Sequence, residues 1–146
     1  MTQYPILAID YGTKHIGLAI SDFKGILATP LEVLHITPAN GYEKIVERIS
    51  DICENNKVQT LLLGKPQIFE ISHQRTIRKI EKFEQILKTG IKLPILSYDE
   101  SYSTVTAQDM LLYTNQSTKK SRKKIDSVAA AVFLQEFLNS ESQENV

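Results

Sequence analysis

The chain has 146 residues, an apolar share of 42% and a formal net charge of zero, values typical of one ordinary globular domain. No apolar run approaches the roughly 18 residues that cross a bilayer, and no basic flank precedes an apolar N-terminal segment. We therefore expect neither a membrane span nor a signal peptide. The single cysteine, Cys53, excludes an internal disulfide and is consistent with the cytoplasm. We expect one domain over residues 1–138 and a flexible polar tail over 139–146.

The first third of the chain predicts an antiparallel meander of three strands. Apolar runs from Leu7 to Asp10 and from Ile16 to Ile20 flank a Gly-Thr-Lys turn at 12–14, which is typical of a hairpin. Their continuous apolar character, without alternation, predicts strands that are buried on both faces of a sheet. A third strand from Ile26 to Leu34 contains Pro30, which favours an edge or bulged position.

Strands then alternate with helices along the rest of the chain. The pattern first predicts a helix from Tyr42 to Asn55 and a strand from Val58 to Leu63, which Gly64 ends. A helix from about Ser72 to Thr89 and a strand from Leu93 to Tyr98 follow. The pattern then predicts a short helix from Ser103 or Thr104 to Leu112, a loop over 115–124 and a final helix from about Lys124 to Leu138. This order predicts a mixed α/β fold, in which a five-stranded sheet is flanked by helices and its last two strands are parallel to the first.

Three acidic residues occupy places from which they could form one site. Asp10 and Glu100 end the first and fifth strands, and the carboxyl ends of parallel strands meet at one edge of a sheet. In the last helix, Asp126 shares a helical stripe with four apolar residues, Ala129, Ala130, Phe133 and Phe137. Three converging carboxylates repel each other unless cations neutralise them, and oxygen ligands suit Mg²⁺ or Mn²⁺. Two such ions held close together can drive phosphodiester cleavage.

Each acidic residue also has an ordinary structural interpretation. Asp10 precedes a glycine turn, where aspartate commonly caps backbone amides. Glu100 follows a strand as a loop residue would, and Asp126 starts a helix, whose dipole favours a negative charge. The strand order brings Asp10 and Glu100 together independently of these interpretations, which favours the joint site. Asp99 is a secondary candidate because it is adjacent to Glu100.

Basic residues are concentrated in one short segment of this neutral chain. Five cations fall within six consecutive positions, namely Lys119, Lys120, Arg122, Lys123 and Lys124. Together with Lys14 in the first turn, they are candidates for contacts with the phosphates of a nucleic acid. The alternative is that these side chains are only solvated. The histidines of the chain have no zinc-type spacing.

Four ordered motifs cover most of the chain. They read I-D-Y-G-T-K-H-I-G-L-A-I-S-D from residue 9, L-L-L-G-K-P from 61, Y-D-E-S-Y-S-T from 98 and K-K-I-D-S-V-A-A-A from 123. In this order and spacing they resemble the YqgF family, of the RuvX type, over about residues 5 to 138. Members of that family are small bacterial proteins with a ribonuclease H-like fold. They are described as Holliday junction resolvases and as nucleases that process the 5′ end of pre-16S ribosomal RNA.

The resemblance implies a metal-dependent phosphodiester hydrolase in the cytoplasm, acting as a monomer or homodimer on pre-rRNA or branched DNA. The family's acidic set falls on Asp10, Glu100 and Asp126, and by analogy Asp10 would bridge two Mg²⁺ or Mn²⁺ ions. Ser101 stands where the family has arginine, which removes an expected phosphate contact. His15 and the segment beginning Gly64-Lys65-Pro66 also depart from the family, so the differences concern substrate binding and leave the acidic set intact.

We therefore expect a nuclease that processes the 5′ end of pre-16S rRNA in ribosome biogenesis. Resolution of Holliday junctions is the alternative within that class. A nucleic-acid-binding protein of the same fold without turnover is the alternative outside it. The actin-like and sugar-kinase families also open with an Asp-x-Gly-Thr hairpin, but 146 residues cannot supply the second lobe that closes over ATP.

Overall fold

The computed structural model of this chain describes residues 2–65, 74–99 and 118–144, and within these ranges it contains five strands and three helices. The elements in chain order are β1 (Ile6–Tyr11), β2 (His15–Ser21), β3 (Ala28–His35), α1 (Tyr42–Asn55), β4 (Thr60–Lys65), α2 (Gln74–Gly90), β5 (Ile95–Asp99) and α3 (Thr118–Glu144). The predicted order of strands and long helices is confirmed. The short helix predicted up to Leu112 lies outside the described residues. None of the described helices is both long and apolar enough to span a membrane.

The five strands form one mixed sheet in the order β3-β2-β1-β4-β5. The β1–β2 and β2–β3 pairs are antiparallel, whereas β1–β4 and β4–β5 are parallel. This confirms the meander followed by two strands parallel to the first. The edge strand β3 carries a register shift, because Leu18 pairs with Glu32 and Ala19 with Pro30, which leaves Leu31 as the extra residue. Pro30 therefore lies both on an edge strand and at a bulge, as its missing amide proton favours.

Each face of the sheet packs against a different helical layer. In β1, Leu7 and Ile9 belong to a core shared with α1 and α2, while Ile6 and Ala8 belong to a second core shared with α3. This alternation is the period of two expected of a strand. Because both faces are covered, β1 is apolar along nearly its whole length, as its sequence predicted.

The predicted boundaries of the final helix and of β4 are wrong for identifiable reasons. The final helix begins at Thr118 instead of about Lys124 and continues past Leu138 to Glu144, so residues 118–124 of the predicted loop and 139–144 of the predicted tail are helical. Lysine and arginine are good helix formers, and residues 139–144 contain no glycine or proline that would end a helix. Strand β4 also runs through Gly64 to Lys65, because β1 and β5 pair with it on both sides.

Cys53 lies on the buried stripe of α1, as its spacing predicted, and burial raises the pKa of its thiol to about 11. Below pH 9, near the ordinary pKa, the thiol is neutral in both the folded and the unfolded chain. Between pH 9 and 11 only the unfolded chain loses this proton, so the folded state loses stability as the pH rises.

We expect the stability of the wild-type chain to fall by about 1 kcal/mol more than that of Cys53→Ala between pH 8 and pH 10. Urea unfolding of both proteins at the two pH values measures this difference. Comparing changes with pH, rather than absolute stabilities, cancels the packing lost with the sulfur atom. An equal fall in both proteins would show that the thiol does not contribute to the alkaline loss.

Candidate active site

Asp10 is the penultimate residue of β1, the central strand of the sheet, and its side chain is partly buried. Its register partners are Gly17 of β2 on one side and Gly64 of β4 on the other. Side chains of paired residues normally stand about 5 Å apart on the same face of a sheet. Since both register partners are glycines, no side chain stands directly opposite Asp10 on either adjacent strand.

The alternation of β1 places Asp10 on the same face as Ile6 and Ala8, which is the face covered by α3. On α3, Ala130 and Phe133 are fully buried in the same core. Asp126 is a residue of α3 and comes one helical turn before Ala130. The predicted phase of the buried stripe is thereby confirmed for Ala129, Ala130 and Phe133. The side chain of Asp126 lies outside the described part of the chain.

The carboxyl end of β5 lies at the same edge of the sheet as that of β1. Only β4 separates the two strands, and all three run parallel, so the ends of β1 and β5 are about 10 Å apart. This confirms the predicted meeting of the two strand ends. Asp99 is the last residue of β5 and pairs in register with Lys65. Glu100 follows it and lies outside the described residues.

Tyr11 anchors the end of β1 next to Asp10. Its ring is buried against Phe83 of α2, with 5.4 Å between the ring centroids, and its hydroxyl hydrogen-bonds with that of Tyr42. Burial, and then the hydrogen bond to Tyr42, hold the pKa of Tyr11 well above its usual range. Tyr11 therefore stays neutral at physiological pH and serves as a structural anchor for the strand that carries Asp10.

Lys65, at the end of β4, lies on the face opposite to Asp10. Its ammonium group is 2.7 Å from the Glu84 carboxylate of α2, which belongs to the layer opposite α3. Lys65 belongs to the segment in which this chain departs from the family. The structure places it on the face away from Asp10, where its charge is paired with that of Glu84. Sequence reasoning missed this pair because β4 was expected to end before Lys65, and the period-2 alternation of β4 is the signal that could have found it.

Two histidines also lie at the edge of the sheet that carries Asp10. His15 and His35 pair across β2 and β3, and their rings meet edge to face with 4.7 Å between centroids. Sequence spacing could not reveal this pair, because only the strand register brings the two residues together. Lys14, in the preceding turn, is exposed as expected of a phosphate contact. The five clustered cations lie in the first two turns of α3, and their side chains are outside the described part of the structure.

Among residues 2–65, 74–99 and 118–144, no three histidine, cysteine or acidic side chains lie close enough together to hold a metal ion. Of the three predicted ligands, only Asp10 has a described side chain. Its oxygen donors have the chemistry that Mg²⁺ and Mn²⁺ prefer, and neither of its register partners carries a side chain. The fit between this residue and a hard divalent cation is therefore favourable.

Gly64→Val is expected to reduce cleavage of nucleic acid by at least about a hundredfold, because the new side chain would stand about 5 Å from that of Asp10 on the same face. Cleavage assays and Mn²⁺ titration calorimetry would measure the loss. Leu63→Val is the matched control, since it alters the adjacent residue on the opposite face of β4. A Gly64→Val protein that melts cooperatively and cuts at the wild-type rate would show that this space is not needed.

Comparison with known proteins identifies close relatives. The family model RuvX, described as "Holliday junction resolvase", matches residues 4–140. A relative from Geobacillus sp. strain WCH70 is 33% identical over 135 residues, covering 92% of this chain and 97% of that protein. A relative from Geobacillus kaustophilus is 36% identical over 134 residues, covering 92% and 96%. Both carry the name "Putative pre-16S rRNA nuclease".

Two solved structures share the fold. Thermus thermophilus RuvC in complex with a Holliday junction substrate has a TM-score of 0.61 at 15% identity and covers 95% of this chain and 96% of that one. The fowlpox virus resolvase bound to Holliday junction DNA has a TM-score of 0.51 at 18% identity and covers 94% and 98%. At these identities the likeness concerns the fold, and it confirms the ribonuclease H-like class expected from the sequence.

Proposed function

This chain belongs to the RuvX family, and from that membership we propose that it is a nuclease that hydrolyses phosphodiester bonds in structured nucleic acid with the help of divalent metal ions. Asp10 is the observation that carries the proposal. Its carboxylate lies at the end of the central strand, on the face covered by α3 and between two glycines. A partly buried carboxylate in such a position requires a cation or strong donors nearby.

Asp10, Glu100 and Asp126 would together hold two Mg²⁺ or Mn²⁺ ions. Bound divalent ions activate water and stabilise the leaving oxygen of a phosphodiester. The chain's own residues position this chemistry: Tyr11 fixes the end of β1, and the buried Ala130 and Phe133 fix α3 against the sheet. A phosphate bound at Asp10 would meet no side chain from either register partner, since both are glycines.

The preferred substrate in this proposal is the 5′ end of pre-16S rRNA, processed in the cytoplasm during ribosome biogenesis. It is supported by relatives that match over nearly their whole length and whose names refer to pre-16S rRNA. Holliday junction DNA is the second candidate, because the family model and both structural neighbours refer to it. Both substrates present closely spaced phosphates, for which Lys14 and the basic run at 119–124 are the candidate contacts.

The decisive experiment compares labelled pre-16S rRNA with a labelled four-way DNA junction. The purified protein is incubated with each substrate in Mg²⁺, in Mn²⁺ and in EDTA, followed by restoration of the metal. We expect cleavage in either metal, no cleavage in EDTA, and faster cleavage of the rRNA. Faster cutting of the junction would favour the second candidate. Binding of both substrates without cleavage under any condition would identify a binding protein and contradict the proposal.

The basic run is tested by a quadruple variant, Lys119, Lys120, Lys123 and Lys124 each to glutamine. Glutamine keeps the helix propensity of lysine, so the loss is confined to charge. We expect weaker binding and a salt slope that becomes shallower by about one for each phosphate contact removed. The matched control replaces four exposed lysines elsewhere, Lys44, Lys57, Lys79 and Lys82. Equal affinities and slopes for the two variants would exclude the run from the interface.

A further inference from the structure

His15 and His35, the histidine pair where β2 begins and β3 ends, lie on the same face of the sheet as Asp10. In β2, Gly17 is the register partner of Asp10, and His15 comes two residues before it, so alternation gives His15 and Asp10 the same face. His35 pairs in register with His15 and therefore shares that face. The neighbours of the pair along the two strands belong to the opposite core, and they are Ile16 and Leu34. The pair is thus on the side of the sheet where the candidate active site lies.

His15 is also close to Asp10 along this face. Residues that are diagonal to each other across an antiparallel pair have side chains about 7–8 Å apart, within reach of an aromatic ring. Gly17, which is directly opposite Asp10 and next to His15 on this face, carries no side chain. A nucleic acid strand that is bound at Asp10 and runs towards β3 would therefore pass over the histidine pair.

The strand ends that carry the histidine pair are held in place by hydrogen bonds. The Ile36 amide donates to the Lys14 carbonyl at 2.9 Å, which continues the pairing of β2 with β3 past the histidines. The Asn40 side chain donates to the His35 carbonyl at 2.8 Å. The two rings meet edge to face with 4.7 Å between centroids, and both residues are only partly buried. The fold therefore fixes the backbone of the pair and leaves part of each residue accessible to a ligand.

The chemistry of imidazole suits an oxygen of the sugar-phosphate backbone. An uncharged imidazole carries one N–H donor and one acceptor nitrogen. Phosphate oxygens are acceptors, and the 2′-hydroxyl of ribose both donates and accepts. About half or more of the hydrogen bonds between proteins and DNA go to phosphate and sugar oxygens. Two imidazoles in contact with each other can therefore offer their donors to one nucleotide.

We propose that His15 and His35 form a subsite that binds a backbone oxygen of the nucleotide next to the one held at Asp10. This inference rests on the proposed nuclease function and adds to it a binding site that the acidic set does not include. Lys14 supports this ligand, because it is exposed in the turn immediately before His15 and adds positive charge at the same edge of the sheet. The test has to separate binding from packing, since paired rings also stabilise adjacent strands.

His15→Phe separates the two roles, because phenylalanine keeps an edge-to-face ring contact but has no N–H donor. Fluorescence anisotropy measures the affinity for a labelled RNA hairpin, with Asp10→Asn as the parent chain and with EDTA, so that no substrate is consumed. We expect His15→Phe to raise the dissociation constant about tenfold, and His15→Gln, which keeps a neutral donor, to stay within about threefold of the parent. Thr89→Val, which removes a donor on α2, is the control and should bind like the parent. A folded His15→Phe chain with the affinity of the parent would overturn the proposal.

A double variant tests whether the two rings form one subsite. If both bind the same nucleotide, His15→Phe and His35→Phe together should weaken binding by less than the product of the two separate losses. Losses that multiply would show two independent contacts and contradict the shared subsite. A DNA hairpin of the same sequence identifies the oxygen that is bound. An equal loss with RNA and DNA would assign a phosphate oxygen, and a loss confined to RNA would assign the ribose 2′-hydroxyl.

Failure of this inference and failure of the proposed function give different results. If the histidine variants weaken binding but the wild-type chain does not cut in Mg²⁺ or Mn²⁺, the nuclease proposal alone is contradicted. If the wild-type chain cuts but the phenylalanine variants bind like their parent, the subsite alone is contradicted. A parent chain that binds neither RNA nor DNA would contradict both proposals.

Discussion

Asp10→Asn is expected to lose at least about a thousandfold in metal-dependent cleavage while it keeps its fold. Asparagine has the shape of aspartate, so the packing at the end of β1 is retained. It lacks the negative charge that would neutralise a divalent cation in a partly buried position. Single-turnover cleavage measures the rate, and Mn²⁺ titration calorimetry measures the loss of metal affinity independently of turnover.

Asp51→Asn is the matched control for this prediction, because Asp51 is exposed on α1 in the layer opposite α3. It should cut and bind Mn²⁺ like the wild type. If Asp10→Asn kept both its cleavage rate and its Mn²⁺ affinity, Asp10 would be excluded as a metal ligand. If it kept Mn²⁺ affinity but lost cleavage, its role would lie in the reaction and not in metal binding.

Phe83→Ala is expected to lower the free energy of unfolding by about 3–5 kcal/mol. Phe83 is fully buried, and its ring contacts those of Tyr11 and Tyr42, with centroid distances of 5.4 and 5.5 Å. Truncation leaves a cavity between α2 and the sheet that these rigid neighbours cannot fill. Urea denaturation monitored by circular dichroism gives the change in stability.

The control is the same truncation at an exposed position. Phe23 is 70% exposed, so Phe23→Ala should change stability by less than about 0.5 kcal/mol. Phe83→Leu, which retains most of the volume, should cost less than about 1.5 kcal/mol. Similar costs for the two alanine variants would show that the aromatic cluster behind Tyr11 contributes little to stability.

Much of the fold follows from local patterns in the sequence. The continuous apolar runs of β1 and β2 indicate burial on both faces, and the helical period of α1 gives both of its ends, Tyr42 and Asn55. The position of Asp10 at a strand end follows from the same patterns. The neighbours of Asp10 in the sheet do not follow from these patterns. Its pairing with Gly17 and Gly64 depends on the register between β1 and the two adjacent strands.

What the sequence could not predict depends on tertiary partners. The continuation of β4 through Gly64 is decided by two flanking strands that override the weak strand preference of glycine. The geometry of the turn between β2 and β3 depends on hydrogen bonds with Gln135, which lies far along the chain. The start of α3 was missed for a different reason. A run of lysines has the propensity to form a helix, but it lacks the apolar period by which a helix is recognised in a sequence.

The sheet order also has a consequence for how the site forms during folding. The β1–β2–β3 meander joins neighbours in sequence, whereas β1 pairs with β4 only after a long intervening loop is closed, and α3 comes last in the chain. Contacts of low sequence separation form fastest. We therefore expect β2, which places Gly17 beside Asp10, to pair with β1 early in folding. Strand β4, which brings Gly64, and helix α3 should join the sheet late. A chain still emerging from the ribosome would carry Asp10 long before the rest of the site has formed.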